Sequence, residues 1–219
     1  MLCHNSMHKI SEGYFYEVYD LGNNRVLKKK RPFLKIMGDV RKEYKSNFFT
    51  GVIKTFQHIK ECTEATLSVR KKMEKIPHSL LGNPRFINKV EYEQDKAVLL
   101  MDYFATHGIE ENKVVIDKYS ALVEEFLKYG VHDYVYKFKN SYGINSNREV
   151  VFIDFNEVTF SKDKTLEYIK IKEWRNENQF RKFPEGELKE YLDLKLSEVC
   201  TQENVSNLWE MSLVSGEVR

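Results

Sequence analysis

Ile10-Ser11-Glu12-Gly13-Tyr14-Phe15-Tyr16-Glu17-Val18-Tyr19, followed by Gly22-Asn23-Asn24 and Arg25-Val26-Leu27-Lys28, decides how this chain begins to fold. Ile10, Tyr14, Phe15, Val18 and Tyr19 suit a pleated surface, so His8 to Tyr19 reads as strand. Gly22-Asn23-Asn24 tolerates the positive φ of a tight hairpin, and Arg25 to Lys28 reads as the returning strand. Gly13 would let main-chain N–H groups approach a phosphate, and Lys28, two positions after Val26, would share its face. The same pattern also serves a purely structural hairpin, with Lys28-Lys29-Lys30 guarding a sheet edge.

Beyond the hairpin the period changes. From about Gly38 to Met73, Val40, Tyr44, Phe48 and Val52 recur at helical spacing, with a break expected near Thr50-Gly51. Pro77 and Leu81-Gly82-Asn83-Pro84 stop these helices. Strands are expected at Phe86 to Glu93 and Ala97 to Tyr103, where Val98-Leu99-Leu100-Met101 suits a strand covered on both faces. After Gly108, Val114, Val115, Tyr119, Leu122, Val123, Phe126 and Leu127 predict a helix that Gly130 ends. Phe138 to Gly143 and Val150 to Phe155 bracket Asn145-Ser146-Asn147 as a second hairpin. Past Ser161 the chain reads as helix, with Leu166, Ile169, Trp174, Leu188, Tyr191, Leu192, Leu194 and Leu208 as core contacts and Trp209 as a further core residue.

Composition narrows the function classes. The 219 residues include 35 Lys and Arg against 33 Asp and Glu, a net charge of +2, which disfavours wholesale coating of nucleic acid. No apolar run approaches the ~20 residues of a membrane span, and Met1 to Ser6 lacks the order of a signal peptide. Cys3, Cys62 and Cys200 form neither a metal-ligand spacing nor a disulfide framework. A cytoplasmic protein without a membrane partner is expected. The chain is long enough for two small lobes.

A strand-rich first half, a connection near Met101 to Gly108 and a mainly helical second half raise the question of phosphate chemistry. Asp154 ends an apolar strand, where a carboxylate is costly unless paired or bound to a cation. Lys137 and Asn140 precede it across the expected hairpin, so Asn140 and Asp154 can offer a neutral and an anionic oxygen to one Mg²⁺. As bland alternatives, Asp154 is a cap or turn residue and Asn140 a turn residue.

Together these segments resemble a protein-kinase-like fold over roughly residues 8 to 160, α+β and bilobal. That resemblance implies an antiparallel-sheet N-lobe over 1–103, a compact helical C-lobe over 104–219, and ATP and Mg²⁺ as cofactors. Gly13 and Val18 match the phosphate-covering loop, although Ser11 and Tyr16 stand where the family prefers glycine. Val26 would line the nucleotide, Lys28 matches the strand lysine, and Glu43 the helix glutamate that pairs with it, with Glu64 and Glu74 as alternatives. Met101 and Tyr103 fall on the hinge that takes the adenine edge. Lys137 and Asn140 fall on the catalytic-loop Lys and Asn, and Asp154-Phe155-Asn156 resembles Asp-Phe-Gly. In size and erosion the chain is similar to a small bacterial kinase-like group, the PhoP regulatory network proteins.

Two departures bear on chemistry. The family's catalytic Asp aligns with Val135, which cannot accept a proton; Asp133 either reaches the substrate hydroxyl or takes the place of the family's buried His. His132 is another candidate base, with an ordinary pKa near ~6.5. No Ala-Pro-Glu follows Asp154, so a long activation loop is not expected and the phosphoryl acceptor, a protein or a small molecule, stays open. General-base assistance is worth roughly 10²–10⁴-fold, so a slow phosphotransferase and a nucleotide- or partner-binding pseudokinase both fit. A basic-faced nucleic-acid or regulator-binding module rests only on Lys28 to Arg31 and Arg70-Lys71-Lys72.

Overall fold

Asn23 and Asn24 take left-handed backbone angles, φ 51° and 56°, and turn the chain between antiparallel strands as their sequence predicts. The computed structural model describes residues 7–13, 15–45, 47–133, 141–154 and 158–211, with the main chain alone at 73. The chain divides into two compact units, Met1–Lys72 with Gly82–Lys96, and Met73–Leu81 with Ala97–Arg219. The last change of unit thus falls between Lys96 and Ala97, ahead of the segment expected to connect the halves.

The first unit holds a sheet of β1 (His8–Glu12), β2 (Tyr16–Gly22), β3 (Arg25–Lys30), β4 (Arg85–Phe86) and β5 (Tyr92–Asp95). Its order is β1-β2-β3-β5-β4, antiparallel throughout. The single strand expected over His8 to Tyr19 is two strands, because the chain turns between Glu12 and Tyr16, where Gly13 N–H donates to the Tyr16 carbonyl at 2.8 Å. The run Phe86 to Glu93 is likewise divided: Asn88 Oδ1 accepts from the Val90 and Glu91 N–H groups at 3.0 and 2.9 Å and closes a turn. Register sets Val18 opposite Lys28 and Lys28 opposite Tyr92. Cross-strand partners share a face, so Val18, Val26 and Lys28 lie together on one side of the sheet.

Two helices complete this unit, α1 (Phe33–Glu43) and α2 (Phe48–Met73). The first begins at Phe33 rather than near Gly38, with the Pro32 carbonyl accepting from Lys35 and Ile36 N–H at 3.0 and 3.3 Å. The break lies between Glu43 and Phe48, not at Thr50-Gly51. Lys45 takes φ 46° there, and Asn47 Oδ1 accepts the Thr50 N–H at 2.9 Å, capping α2. The Val40, Tyr44, Phe48, Val52 spacing therefore crosses a break: Val40 is buried, while Tyr44 and Phe48 are exposed. The inward face of α2 carries Thr55, Cys62, Thr66 and Val69. The Tyr16 hydroxyl meets Thr66 Oγ1 at 3.1 Å and donates to the Val90 carbonyl at 2.9 Å, tying that face to the sheet.

In the second unit, β6 (Val98–Leu99) runs straight into α3 (Leu100–Thr106), which corrects the strand expected over Ala97 to Tyr103. Asp102 in the first turn suits a helix N-terminus, and Val98 is exposed rather than covered on both faces. Then α4 (Ile109–Lys128) ends as predicted at Gly130, φ 66°, in a Schellman arrangement: Gly130 N–H bonds the Leu127 carbonyl and Val131 N–H that of Phe126, both at 3.0 Å. Four short strands follow, β7 (His132–Asp133), β8 (Tyr142–Ile144), β9 (Val150–Phe152) and β10 (Val158–Thr159). β8 and β9 form the expected hairpin, and Asn145 Oδ1 accepts from Asn147 and Glu149 N–H, both at 3.0 Å, within its turn.

β6 pairs with β8 at Leu99 and Gly143, so closely that a Cβ on Gly143 would lie 2.8 Å from the Ala97 Cβ and 2.9 Å from the Val98 carbonyl oxygen. Gly143→Ala must push main chain apart there; we expect it to lower stability by roughly 1–3 kcal/mol, read as a shifted urea midpoint. A neutral result would mean that β6 is not held against β8.

Helices α5 (Lys162–Lys170), α6 (Asn178–Arg181), α7 (Glu187–Val199) and α8 (Gln202–Leu208) complete this unit, with α4 packed against α7, α8 and β9. Ser161 caps α5, its hydroxyl accepting from Lys164 N–H at 3.3 Å. Trp174 is fully buried and its indole donates to Asp193 at 3.0 Å, whereas Trp209 is half-buried. Leu194 is exposed, contrary to expectation, because Leu192 and Leu196 take the inward positions of α7 and leave it between them. Cys62 and Cys200 are buried. Among the described residues no helix is long and apolar enough to cross a membrane.

Candidate functional site

Strand alternation places the first unit's candidates. Val26 and Lys28 point to the buried face of β3; Lys28, 7% exposed, sets its ammonium 5.7 Å from the Tyr92 ring centre, and Val18 lies opposite it. Gly13 sits in the β1–β2 connection of the same sheet. A buried lysine is expensive unless its charge is used or neutralised. Burial of Lys28 and Arg31 also means that the Lys28 to Arg31 run is not simply a solvated basic face.

Glu43 is exposed in the last turn of α1, where its negative field acts on His58 of α2. Among the described residues no ion pair joins Glu43 to Lys28. The alternative Glu64 pairs loosely with Lys60 at 3.8 Å on the outer face of α2, and Glu74 is exposed.

A different carboxylate is the focus of this sheet. Glu17, 6% exposed, accepts from Lys35 Nζ at 2.7 Å, the Tyr19 hydroxyl at 2.9 Å and Lys9 Nζ at 3.1 Å. These bonds, that of Lys35 above all, hold its pKa down at about 2. Nearby Arg31, 6% exposed, bonds Glu12 and Asp39. Sequence reasoning passed over Glu17 and Arg31. Their neighbours look like an ordinary charge run, and only strand alternation and burial separate them from it.

In the second unit, β7 and β10 pair at His132–Thr159 and Asp133–Val158. The strand leading into 134–140 therefore lies against the strand following Asp154, and the β8–β9 hairpin runs between them in the chain. The hairpin ladder continues one step further, Ile153 N–H donating to the Ser141 carbonyl at 2.7 Å. Asp154, half-buried, is the next residue on one strand, and Asn140 the residue before Ser141 in sequence. Lys137, Asn140, Val135, Tyr14, Phe155 and Asn156 lie outside the described residues.

Asp133 is 5% exposed within the β7–β10 pair, which suits the buried structural role better than that of a base reaching a substrate hydroxyl. Burial and then the Asp133 carboxylate push the Tyr119 hydroxyl well up. Burial drives the pKa of His132 down to about 3, so its imidazole is neutral at physiological pH. Met101 and Tyr103, expected on an extended hinge, lie half-buried on α3, and the Tyr103 ring stacks on His107 at 3.6 Å. Their main chain is helical rather than extended, so an extended hinge edge does not form at these two residues. Among the described residues no three His, Cys, Asp or Glu side chains group as metal ligands.

No protein-family model and no curated protein sequence matches this chain.

Proposed function

We propose that this chain is an atypical kinase-like phosphotransferase that binds ATP and Mg²⁺ and transfers phosphate to a protein or small-molecule acceptor. The observation that carries the reading is the common face of Val18, Val26 and buried Lys28, on a sheet whose β1–β2 connection contains Gly13. There Lys28 would take α/β-phosphate oxygens, and Gly13 would let main-chain N–H groups close on them.

The donor set of the hairpin suits a hard cation. Asp154 offers carboxylate oxygen, and Asn140, which precedes it in the sequence, would be the neutral oxygen. Mg²⁺ bound there would neutralise phosphate charge, and Lys137 would stabilise the transferred group. The pairing of β7 with β10 supports the kinase-like, bilobal reading because it frames the loop–hairpin–aspartate segment that the resemblance requires.

A second reading, a nucleotide-binding or partner-binding pseudokinase, is favoured by one observation: the burial of Asp133. Loss of a base need not abolish transfer, since positioning and charge neutralisation carry most of it.

Thermal unfolding with ATP, Mg²⁺ and both, in the wild type, Lys28→Met and Asp154→Ala, tests the binding. At ligand ~100-fold above Kd, stability should rise by about 2.7 kcal/mol, several degrees for such a chain. Lys28→Met should lose the response, and Asp154→Ala its metal-dependent part. An unmoved wild-type midpoint under all three conditions rejects the phosphotransferase and leaves a pseudokinase that acts through a partner alone. Binding without phosphate release or transfer selects the pseudokinase.

A further inference from the structure

Arg31 stands between the last residue of β3 and Pro32, which leads into α1. Its main-chain N–H donates to the Phe15 carbonyl at 3.0 Å. Its guanidinium then reaches back over the β1–β2 connection. Nη1 donates to the Gly13 carbonyl at 3.0 Å, and Nη2 lies 2.7 Å from Glu12 Oε1. The same Nη1 bonds Asp39 Oδ2 of α1 at 2.8 Å. One nearly buried side chain thus grips both the connection and the helix.

A second tether runs parallel to it. Lys35, one turn before Asp39 on α1, bonds Glu17 on β2 at 2.7 Å, and Glu17 and Glu12 both pair with Lys9 of β1. Lys9, Arg31 and Lys35 balance Glu12, Glu17 and Asp39, so the lattice carries no excess charge and its two most buried members, Arg31 and Glu17, are each multiply bonded. A connection with several glycines would hold its shape only when occupied, because glycine leaves the main chain free. This connection has Gly13 alone, between Glu12 and Tyr14 in the sequence, and the guanidinium supplies the missing restraint.

We infer that Arg31 is a positioning residue that shapes the Gly13 connection and couples it to α1 through Asp39. Displacing α1 withdraws Asp39 and loosens the connection, so a partner or ligand acting on α1 would reach it by this route. The function of that coupling, setting nucleotide affinity without contacting the nucleotide, rests on the phosphotransferase reading; the coupling itself does not.

Arg31→Lys keeps the charge but cannot reproduce the planar fork, which bonds three oxygens in one arrangement. Asp39→Asn removes only the helix end of the link, at a partly exposed side chain that leaves folding intact. Native-state hydrogen exchange, without nucleotide, should show the amides of Gly13 to Glu17 exchanging at least about tenfold faster in Arg31→Lys. In Asp39→Asn the same amides should accelerate by a smaller factor. In both variants the β3–β5 ladder, from Arg25–Asp95 to Lys28–Tyr92, should keep its wild-type rates.

Unchanged exchange at the connection, or a uniform rise that includes the β3–β5 ladder, overturns the inference, the latter because it marks a general loss of stability. Titration with ATP and Mg²⁺ separates the two layers. If the wild type binds, Arg31→Lys should raise the KM for ATP about tenfold with little change in kcat, and equal effects on both would reject the positioning role. If the wild type does not bind, the phosphotransferase reading fails while the exchange data still decide the clasp.

Discussion

Phe152→Ala lowers the unfolding free energy by about 3–5 kcal/mol, the largest single-residue effect expected in the second unit. Phe152 is 1% exposed at the end of β9, its ring 5.5 Å from Phe126 of α4 and 5.1 Å from Tyr142 of β8. Tyr142 in turn meets Tyr119 of α4 at 4.7 Å, so truncation opens a cavity beside an aromatic cluster that joins α4 to β8. A closely packed interior closes such a cavity only in part. The measurement is urea unfolding followed by tryptophan fluorescence, because both tryptophans, Trp174 and Trp209, belong to this unit. Phe152→Leu should lose less than half as much. A loss below about 1 kcal/mol for the alanine variant would mean that the hairpin does not rest on α4. Because the same hairpin carries Asp154, the metal-dependent part of any nucleotide response should weaken in step with the stability.

Acid should weaken the second unit well before ordinary carboxylates titrate. Burial holds the pKa of His132 at about 3 against an ordinary 6.5. As pH falls below the ordinary value, the unfolded chain takes up a proton that the native state refuses, so stability falls. Between pH 7 and pH 5 this amounts to about 2 kcal/mol, and by pH 3 to about 4 kcal/mol. His58 of the first unit is shifted the same way by its partial burial, which makes the tryptophan probe necessary.

Glu17 adds a later descent in the first unit. Its lowered pKa contributes stability that is complete above 4.5 and is lost as pH falls towards about 2. The interval from pH 6.5 to 5 therefore isolates the histidine. Urea midpoints across it should fall steadily in the wild type and stay nearly level in His132→Gln. A level wild-type profile would show that His132 takes up its proton in the folded state.

The strongly periodic and turn-bearing segments were legible without coordinates. Gly22-Asn23-Asn24 marked a hairpin and Asn145-Ser146-Asn147 another. The Val114 to Leu127 stripe with Gly130 marked α4 from its first turn to its cap. The antiparallel sheet and the two-part organisation followed from these. So did the shared face of Val26 and Lys28, two positions apart on one strand, since side chains alternate along any strand. The one confusion of strand with helix came from a short apolar run. Val98-Leu99-Leu100-Met101 has too few residues to declare a period, and the decision between strand and helix passed to the position of Asp102 and the burial of Leu100.

By itself the sequence determined several of the chain's turns, which stretches are helical over many residues, and that Val26 and Lys28 share one face of their strand. These depend on φ preferences and on side-chain periods, both carried by neighbouring residues. Only the tertiary structure decided that Glu17 and Arg31, rather than Glu43, organise the charges around the Gly13 connection. It alone decided that Asp133 is buried in a strand pair and that Met101 and Tyr103 ride on a helix. Burial and ionic partnership join residues far apart in the chain, such as Glu12 with Arg31 and Asp133 with Val158, and neither member of such a pair announces the other in its local sequence.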